Sequence, residues 1–359
     1  MAESRFHRLK VAEVIVESAD ARSFVFDLPP ALRDAFSYRP GQFLTLKVPC
    51  QDAVVQRCYS LSSAPGIDAA LKITVKRVRQ GRASNWMCDH LQPGSELEVM
   101  APAGVFSPRS LADDLLLFAG GSGITPVLSI LKSALVAGRG TVTLIYANRD
   151  EQSVIFSDEL RQLGQRHPGR LRVIHWLDSV QGIPQQRHLE ELARPWSTHE
   201  CFICGPSLFM ESALAAVLAL GLPRARVHVE RFASLPDLPA APAGPVLEPA
   251  TITPAGPSGS EVDVGVSTVA AIQTVLDGNT FDFACEPGET LLDAMLRADL
   301  AAPNSCRSGL CGACMCRIEA GAVTLNANHV LDKDELAAGW TLACSATPAS
   351  AALRVVFPD

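Results

Sequence analysis

The chain has no surplus of positive charge and no long apolar run, and no leader is expected. Asp and Glu total 38 against 31 Lys and Arg, for a net −7, which excludes a basic nucleic-acid-binding protein. No apolar stretch approaches the ~20 residues that a spanning helix needs. The opening MAESRFHRLK has no apolar core of signal-peptide length. A cytoplasmic protein is expected, with no membrane and no nucleic acid among its partners. At 48% hydrophobic and 19% charged, the composition is that of an ordinary globular protein rather than a disordered one. In 359 residues, two or three domains are expected at roughly 100–200 residues each. Thiols are kept reduced in the cytoplasm, so 11 cysteines, an odd number, point to buried thiols mixed with ligands rather than to a disulfide framework.

Three rhythms follow along the chain. Short alternating runs such as LKVAEVIVE, RSFVFDLP, GQFLTLKVP and LKITVKRV predict an antiparallel barrel or sandwich over residues 1–110. From LLLFA onward, strands alternate with glycine turns and helices, which predicts a parallel α/β sheet over 111–233. Residues 234–265 are dense in Pro, Ala and Gly and read as a semi-extended linker. Residues 266–359 show two hairpin strands, a helix, a cysteine-rich loop and returning strands, an α+β module. That module holds 11 acidic and 5 basic side chains, nearly all of the net charge. The excess suits an acidic docking face for a partner with a basic patch, and equally a device for solubility.

The cysteine loop is the most specific signal. Cys306, Cys311 and Cys314 follow the spacing C-x4-C-x2-C, and Cys344 comes after 29 intervening residues. This is the plant-type [2Fe–2S] spacing: three thiolates come from one tight loop and a fourth arrives from elsewhere. Gly309 and Gly312 let the loop bend around a cluster, while Cys316 reads as a packed thiol.

Arg57, Tyr59 and Ser60 in QRCYSLSS suit a flavin: a cation for pyrophosphate, a ring to lie against the isoalloxazine and a hydroxyl near its redox nitrogen. Lys76 is counted with them as a cofactor-binding residue. In Gly81-Arg82-Ala83-Ser84-Asn85-Trp86, Ser84 is expected to cap a helix whose free N–H groups form an anion site. Gly120, Gly121, Ser122, Gly123 and Thr125 lie between a strand and a helix, where a dinucleotide phosphate fits. The next strand ends in Asn148, Arg149 and Asp150. Asp150 suits a 2′-hydroxyl and Arg149 a 2′-phosphate, so the coenzyme stays open, with the balance toward NADH. In Cys201-Phe202-Ile203-Cys204-Gly205-Pro206 the C-x-x-C reads as strand core rather than a metal site, and Cys204, Gly205 and Pro206 stand where a substrate ring approaches.

The motifs RCYS, GRASNW, GGSGITP, CGP and ERF, followed by the cluster loop, resemble the ferredoxin–NADP reductase family. The order of modules is similar to the reductase components of multicomponent oxygenases, among them the ketosteroid 9α-hydroxylase and phenylacetyl-CoA epoxidase reductases. The resemblance implies FAD as the flavin, a β-grasp fold for the C-terminal module, and a partner that is a Rieske-type or di-iron oxygenase. It places Tyr59, Ser60 and Cys204 against the reacting rings, and Glu230 and Phe232 near the flavin. A nicotinamide gives up electrons in pairs and a [2Fe–2S] centre takes them singly, so a flavin between them is needed. An NAD(P)H-dependent reductase that acts as a monomer is expected. The alternatives are a stand-alone reductase of soluble carriers and a redox-sensing binding protein.

Overall fold

The computed structural model describes residues 6–50, 53–230, 250–252, 269–276, 278–300, 302–304, 307, 309, 312–328, 331 and 333–357. It divides into two compact units, Met1–Phe232 and Ala233–Asp359.

Six strands open the first unit: β1 (Phe6–Ser18), β2 (Ala21–Asp27), β3 (Phe43–Cys50), β4 (Ala53–Ser60), β5 (Leu71–Lys76) and, after helix α1 (Arg82–His90), β6 (Glu96–Met100). They pair antiparallel in the order β4-β3-β6-β1-β2-β5, and a bridge between Leu61 and Ile73 joins the outer strands into a barrel. Every second residue faces inward, so Phe24 and Phe26 on β2 meet Leu44, Leu46 and Val48 on β3 in one core. Helix α1 adds Ala83 and Met87, one turn apart, to that core.

The chain then alternates: β7 (Leu115–Gly120), α2 (Ile124–Ala137), β8 (Val142–Asn148), α3 (Ser157–Arg166), β9 (Leu171–Leu177), α4 (Asp178–Gln181), α5 (Gln186–Ala193), β10 (Glu200–Cys204), α6 (Ser207–Ala219) and β11 (Val227–Glu230). All five strands are parallel, in the order β11-β10-β7-β8-β9. Strand alternation divides the core in two. Leu115, Leu117 and Phe202 pack with α2 on one face, and Leu116, Phe118 and Ile203 pack with α6 on the other. Strand order reverses between β7 and β10, and a ligand crevice in such a sheet opens at the carboxyl ends there.

Barrel and sheet are joined by a buried charge cluster. Lys132 on α2, with its side chain 7% exposed, donates to Asp68 at 2.8 Å and to Glu159 at 2.5 Å. Lys72 on β5 lies 3.5 Å from Glu159, and the Ser129 hydroxyl donates to the Ser63 carbonyl at 2.6 Å.

The second unit contains β12 (Ala250–Ile252), β13 (Ala270–Leu276), β14 (Asn279–Cys285), α7 (Leu291–Arg297), β15 (Met315–Ala320), β16 (Val323–Leu325), α8 (Lys333–Ala337), β17 (Trp340–Leu342), β18 (Ala346–Pro348) and β19 (Ala352–Val356). A mixed sheet, β14-β13-β19-β15-β17, is crossed by α7, whose Leu291, Leu292 and Met295 are wholly buried. Thr290 caps α7 by accepting from the Asp293 N–H at 3.2 Å. The expectation of a linker throughout 234–265 is corrected at one place. Ala250–Ile252 is a strand that pairs antiparallel with β16, which in turn pairs with β18. Two β-branched residues in that triplet favour extended pairing even within a proline-rich stretch. The rest of 234–265 lies outside the described residues.

Candidate functional site

Strand β4 carries the first group. Its register against β3 sets Arg57 opposite Leu46, Cys58 opposite Thr45, Tyr59 opposite Leu44 and Ser60 opposite Phe43. Arg57 and Tyr59 therefore share one face, while Cys58 faces the other, where its Sγ lies 3.4 Å from Thr45 Oγ1. Tyr59 is half-buried against the barrel core, and burial pushes its phenol well above the ordinary range.

The turn before α1 differs from expectation. Gly81, not Ser84, occupies the cap position, and no side chain caps the helix. Gln80 at φ 63° turns the chain so that the helix begins at Arg82, which moves Ser84 into the first turn. There the Ser84 hydroxyl accepts from the Val78 N–H at 3.2 Å and the Asn85 amide donates to the Val78 carbonyl at 3.1 Å. Both side chains hold the turn, and the helix N-terminus is left without a side-chain acceptor, a setting that fits an anionic group.

At the switch point the backbone of two loops is in contact. A Cβ on Gly123 would lie 2.1 Å from the Cys204 carbonyl oxygen, and one on Gly120 would lie 2.8 Å from the Pro206 ring. Only glycine permits this approach of the Gly120–Gly123 loop to Cys204, Gly205 and Pro206. Thr125 Oγ1 donates to the Ser122 carbonyl at 3.0 Å, and the Tyr146 hydroxyl donates to the Gly121 carbonyl at 3.2 Å. The would-be Cβ of Gly121 is 3.5 Å from Lys76 Nζ, so the end of barrel strand β5 reaches this loop.

At the end of β8, Asn148 is buried beside the Tyr146 hydroxyl. Neither its amide oxygen nor its nitrogen makes a hydrogen bond of ordinary geometry among the described residues. A buried amide with unused hydrogen-bonding capacity at the carboxyl end of a parallel strand fits a ligand that completes it. Asp150 folds back on its own turn, where its carboxylate accepts from Ser153 N at 2.9 Å and Ser153 Oγ at 2.8 Å. Arg149 instead reaches Asp20 in the β1–β2 turn at 2.9 Å. Nothing in the local pattern of ESADAR announces Asp20 as part of this group.

Cys201 and Cys204 face opposite sides of the sheet, Cys201 toward α6 and Cys204 toward α2, so they cannot bind one metal ion. Cys204 is wholly buried, and burial pushes its thiol up. Its register partner on β11 is Glu230, whose carboxyl is pushed up to about 8 by burial. Phe232 lies outside the described residues.

In the second unit, Cys314 and Cys344 are buried close together. The Cys344 N–H donates to Cys314 Sγ at 3.4 Å, and the Gly309 N–H donates to Cys344 Sγ at 3.4 Å. Gly309 and Gly312 take φ of 72° and 69°, the left-handed conformation expected of the loop. Backbone N–H groups aimed at thiol sulfurs fit thiolates that carry the charge of a cluster. Cys306 and Cys311 lie outside the described residues, and among the described residues no three metal-binding side chains stand together. Cys316 is wholly buried on β15. Arginines partner several of the acidic side chains: Arg297 reaches Glu289 at 2.8 Å and Arg354 reaches Glu319 at 2.9 Å, while Arg307 pairs with Asp293.

Known proteins share this arrangement. Residues 8–107 match the family described as oxidoreductase FAD-binding domain, 117–214 the oxidoreductase NAD-binding domain, and 274–349 the 2Fe-2S iron-sulfur cluster binding domain. The chain is 47% identical to the ferredoxin reductase component of 3-ketosteroid-9-alpha-monooxygenase from Rhodococcus rhodochrous, over 99% of this chain and 97% of the relative. The chain belongs to the ferredoxin–NADP reductase family, among the oxygenase reductase components with a C-terminal [2Fe–2S] domain. This reductase is also 34% identical to one of the subunits of 1,2-phenylacetyl-CoA epoxidase from Escherichia coli (strain K12), over 98% of each chain. Its fold is similar to that of phthalate dioxygenase reductase, with a TM-score of 0.57 at 24% identity over 98% of each chain. The reductase is an oxidoreductase of FAD, a [2Fe–2S] centre and a pyridine nucleotide, and it moves electrons from NAD(P)H through flavin and cluster to a terminal oxygenase. Among the described residues no helix is long and apolar enough to cross a membrane.

Proposed function

We propose that this chain is the NADH-dependent, FAD-containing reductase of a Rieske-type or di-iron oxygenase, and that the oxygenase is of the 3-ketosteroid-9-alpha-monooxygenase kind. Identity of 47% along nearly the whole length of such a reductase component carries the assignment of the partner. The meeting of barrel residue Lys76 with Gly121 of the nicotinamide loop supports a shared cleft for flavin and coenzyme.

In this reading Arg57 neutralises the flavin pyrophosphate, helped by the uncapped start of α1 that Gly81, Ser84 and Asn85 shape. Tyr59 covers the flavin ring and Ser60 lies by its redox nitrogen. Gly120, Gly121, Ser122, Gly123 and Thr125 cradle the coenzyme phosphates, with Lys76 alongside. Asn148, Arg149 and Asp150 face its adenosine ribose. Cys204, Gly205 and Pro206 wall the nicotinamide, and Glu230 and Phe232 are assigned to the flavin. Bound FAD supplies the conversion between paired and single electrons. Cys306, Cys311, Cys314 and Cys344 hold the cluster. No side chain is needed as a general acid or base; the protein orients the rings and keeps water and oxygen from them. The reductase works as a cytoplasmic monomer, and its acidic C-terminal module suits an oxygenase with a basic patch.

The test is reconstitution with purified oxygenase components. A steroid monooxygenase component that supports NADH-driven hydroxylation, where a phenylacetyl-CoA epoxidase component supports none, is the expected result. Reduction of cytochromes without coupling to either oxygenase would instead favour a stand-alone reductase.

A further inference from the structure

Two cations from different modules converge on one carboxylate. Arg149 Nη2, at the end of β8, lies 2.9 Å from Asp20 Oδ2, and Lys76 Nζ, at the end of β5, lies 3.8 Å from the same oxygen. The carboxylate is held in place from behind. Its Oδ1 accepts from the Ser18 hydroxyl at 2.9 Å, and the Asp20 carbonyl accepts from the Arg77 N–H at 2.7 Å, tying the turn to β5. The Asp20 side chain is mostly buried while Arg149 is 67% exposed, so the acid is the enclosed member and the arginine the exposed one. The nearer acid, Asp150, is occupied by Ser153. Burial lowers the Lys76 ammonium from its usual range and Asp20 opposes that, which gives the barrel a reason to keep an acid here.

We propose that Asp20 is the residue that sets coenzyme preference: it holds the Arg149 fork away from a 2′-phosphate and disfavours the phosphate by its own charge. This rests on the reading that the adenosine ribose lies at Asn148–Asp150. A 2′-phosphate is recognised by a guanidinium with free N–H groups, best in bidentate form. Here one arm of that fork, Nη2, is held by a carboxylate of the neighbouring module, so bidentate capture of a 2′-phosphate must break the pair and then set the phosphate beside Asp20. A 2′-hydroxyl carries no such cost. The choice between coenzymes therefore depends on a barrel residue over a hundred positions from the strand end that faces the ribose.

The experiment measures calorimetric binding of 5′-AMP and of 2′,5′-ADP, which differ by the 2′-phosphate, to the full-length flavin-loaded protein. Asp20→Asn keeps the shape and the Ser18 hydrogen bond, and Asp20→Ser is a second variant in case the first misfolds. Each is expected to tighten 2′,5′-ADP about tenfold, the effect of removing one charge close to a dianion near a surface. Each should leave 5′-AMP within about twofold. Adding Arg149→Gln to Asp20→Asn should abolish the gain. If the Asp20 variants leave both affinities unchanged while Arg149→Gln or Asp150→Asn alters either, the role of Asp20 is overturned and the ribose placement stands. If none of these variants alters either nucleotide, the ribose placement itself fails.

Discussion

Cys204 and Glu230 lie abreast as register partners at the ends of parallel strands β10 and β11, a thiol and a carboxyl that burial holds in their neutral forms. The pair stands at the edge of the sheet's switch point, where the Gly123 backbone also presses on Cys204. In the proposed site a charge there would lie beside the flavin and the nicotinamide, and keeping both groups neutral would leave the rings without a fixed anion.

A pH dependence of stability follows. The Glu230 carboxyl is raised from 4.5 to about 8 in the folded chain, so the native state keeps a proton that the unfolded state releases. Its contribution is full below the unfolded value and is lost as pH rises through the folded one. The thermal midpoint of the first unit should fall as pH rises from about 5 to about 8 and level off above that, and Glu230→Gln should flatten that slope. An equally steep fall in the variant would assign the slope to other groups.

Gly123→Ala tests the contact of the two loops. The new methyl would collide with the Cys204 carbonyl, so the coenzyme loop must shift. The expected result is a rise of about tenfold or more in the KM for NADH, with bound flavin retained and a stability loss of about 1–3 kcal/mol. Unchanged KM would show that the loop does not hold the coenzyme.

Lys132→Met removes the cation between Asp68 and Glu159 and leaves two carboxylates facing each other at the join of barrel and sheet. Breaking a fully buried ion pair costs about 3–5 kcal/mol, and partial exposure of the two carboxylates lowers this to about 2–4 kcal/mol here. Urea unfolding should register this loss. Replacing all three residues and Lys72, which pairs with Glu159, by apolar ones should recover part of it, since the cluster then holds no charge stripped of its partner.

Among the cysteines the division is sharp. Cys314→Ser and Cys344→Ser should each abolish the visible iron–sulfur absorption and the bound iron, while Cys316→Ser, at a wholly buried strand position, should keep both. Loss of the cluster in the Cys316 variant alone would reassign the ligands.

What can be read in the sequence is local. Period-two alternation gives the barrel strands, the change to strand–turn–helix gives the parallel sheet, and cysteine spacing gives the cluster loop, because each pattern is carried by neighbouring residues. The place of Ser84 in the first turn rather than at the cap is not legible, because the helix start depends on the left-handed turn at Gln80, which side-chain types do not announce. The strand Ala250–Ile252 is too short to show a period, and its partner β16 lies some 70 residues on. The Asp20–Arg149 pair joins a barrel turn to a strand end of another module, a contact that no local pattern encodes.

The electron path from NADH through flavin to cluster is tested most directly by anaerobic titration of the purified protein with NADH, followed by visible absorption. Superimposed flavin and [2Fe–2S] bands are expected, both bleached as NADH is added, with the reducing equivalents taken up matching a two-electron flavin plus a one-electron cluster. A colourless protein, or a coloured one whose iron–sulfur bands persist after the flavin is reduced, would contradict it.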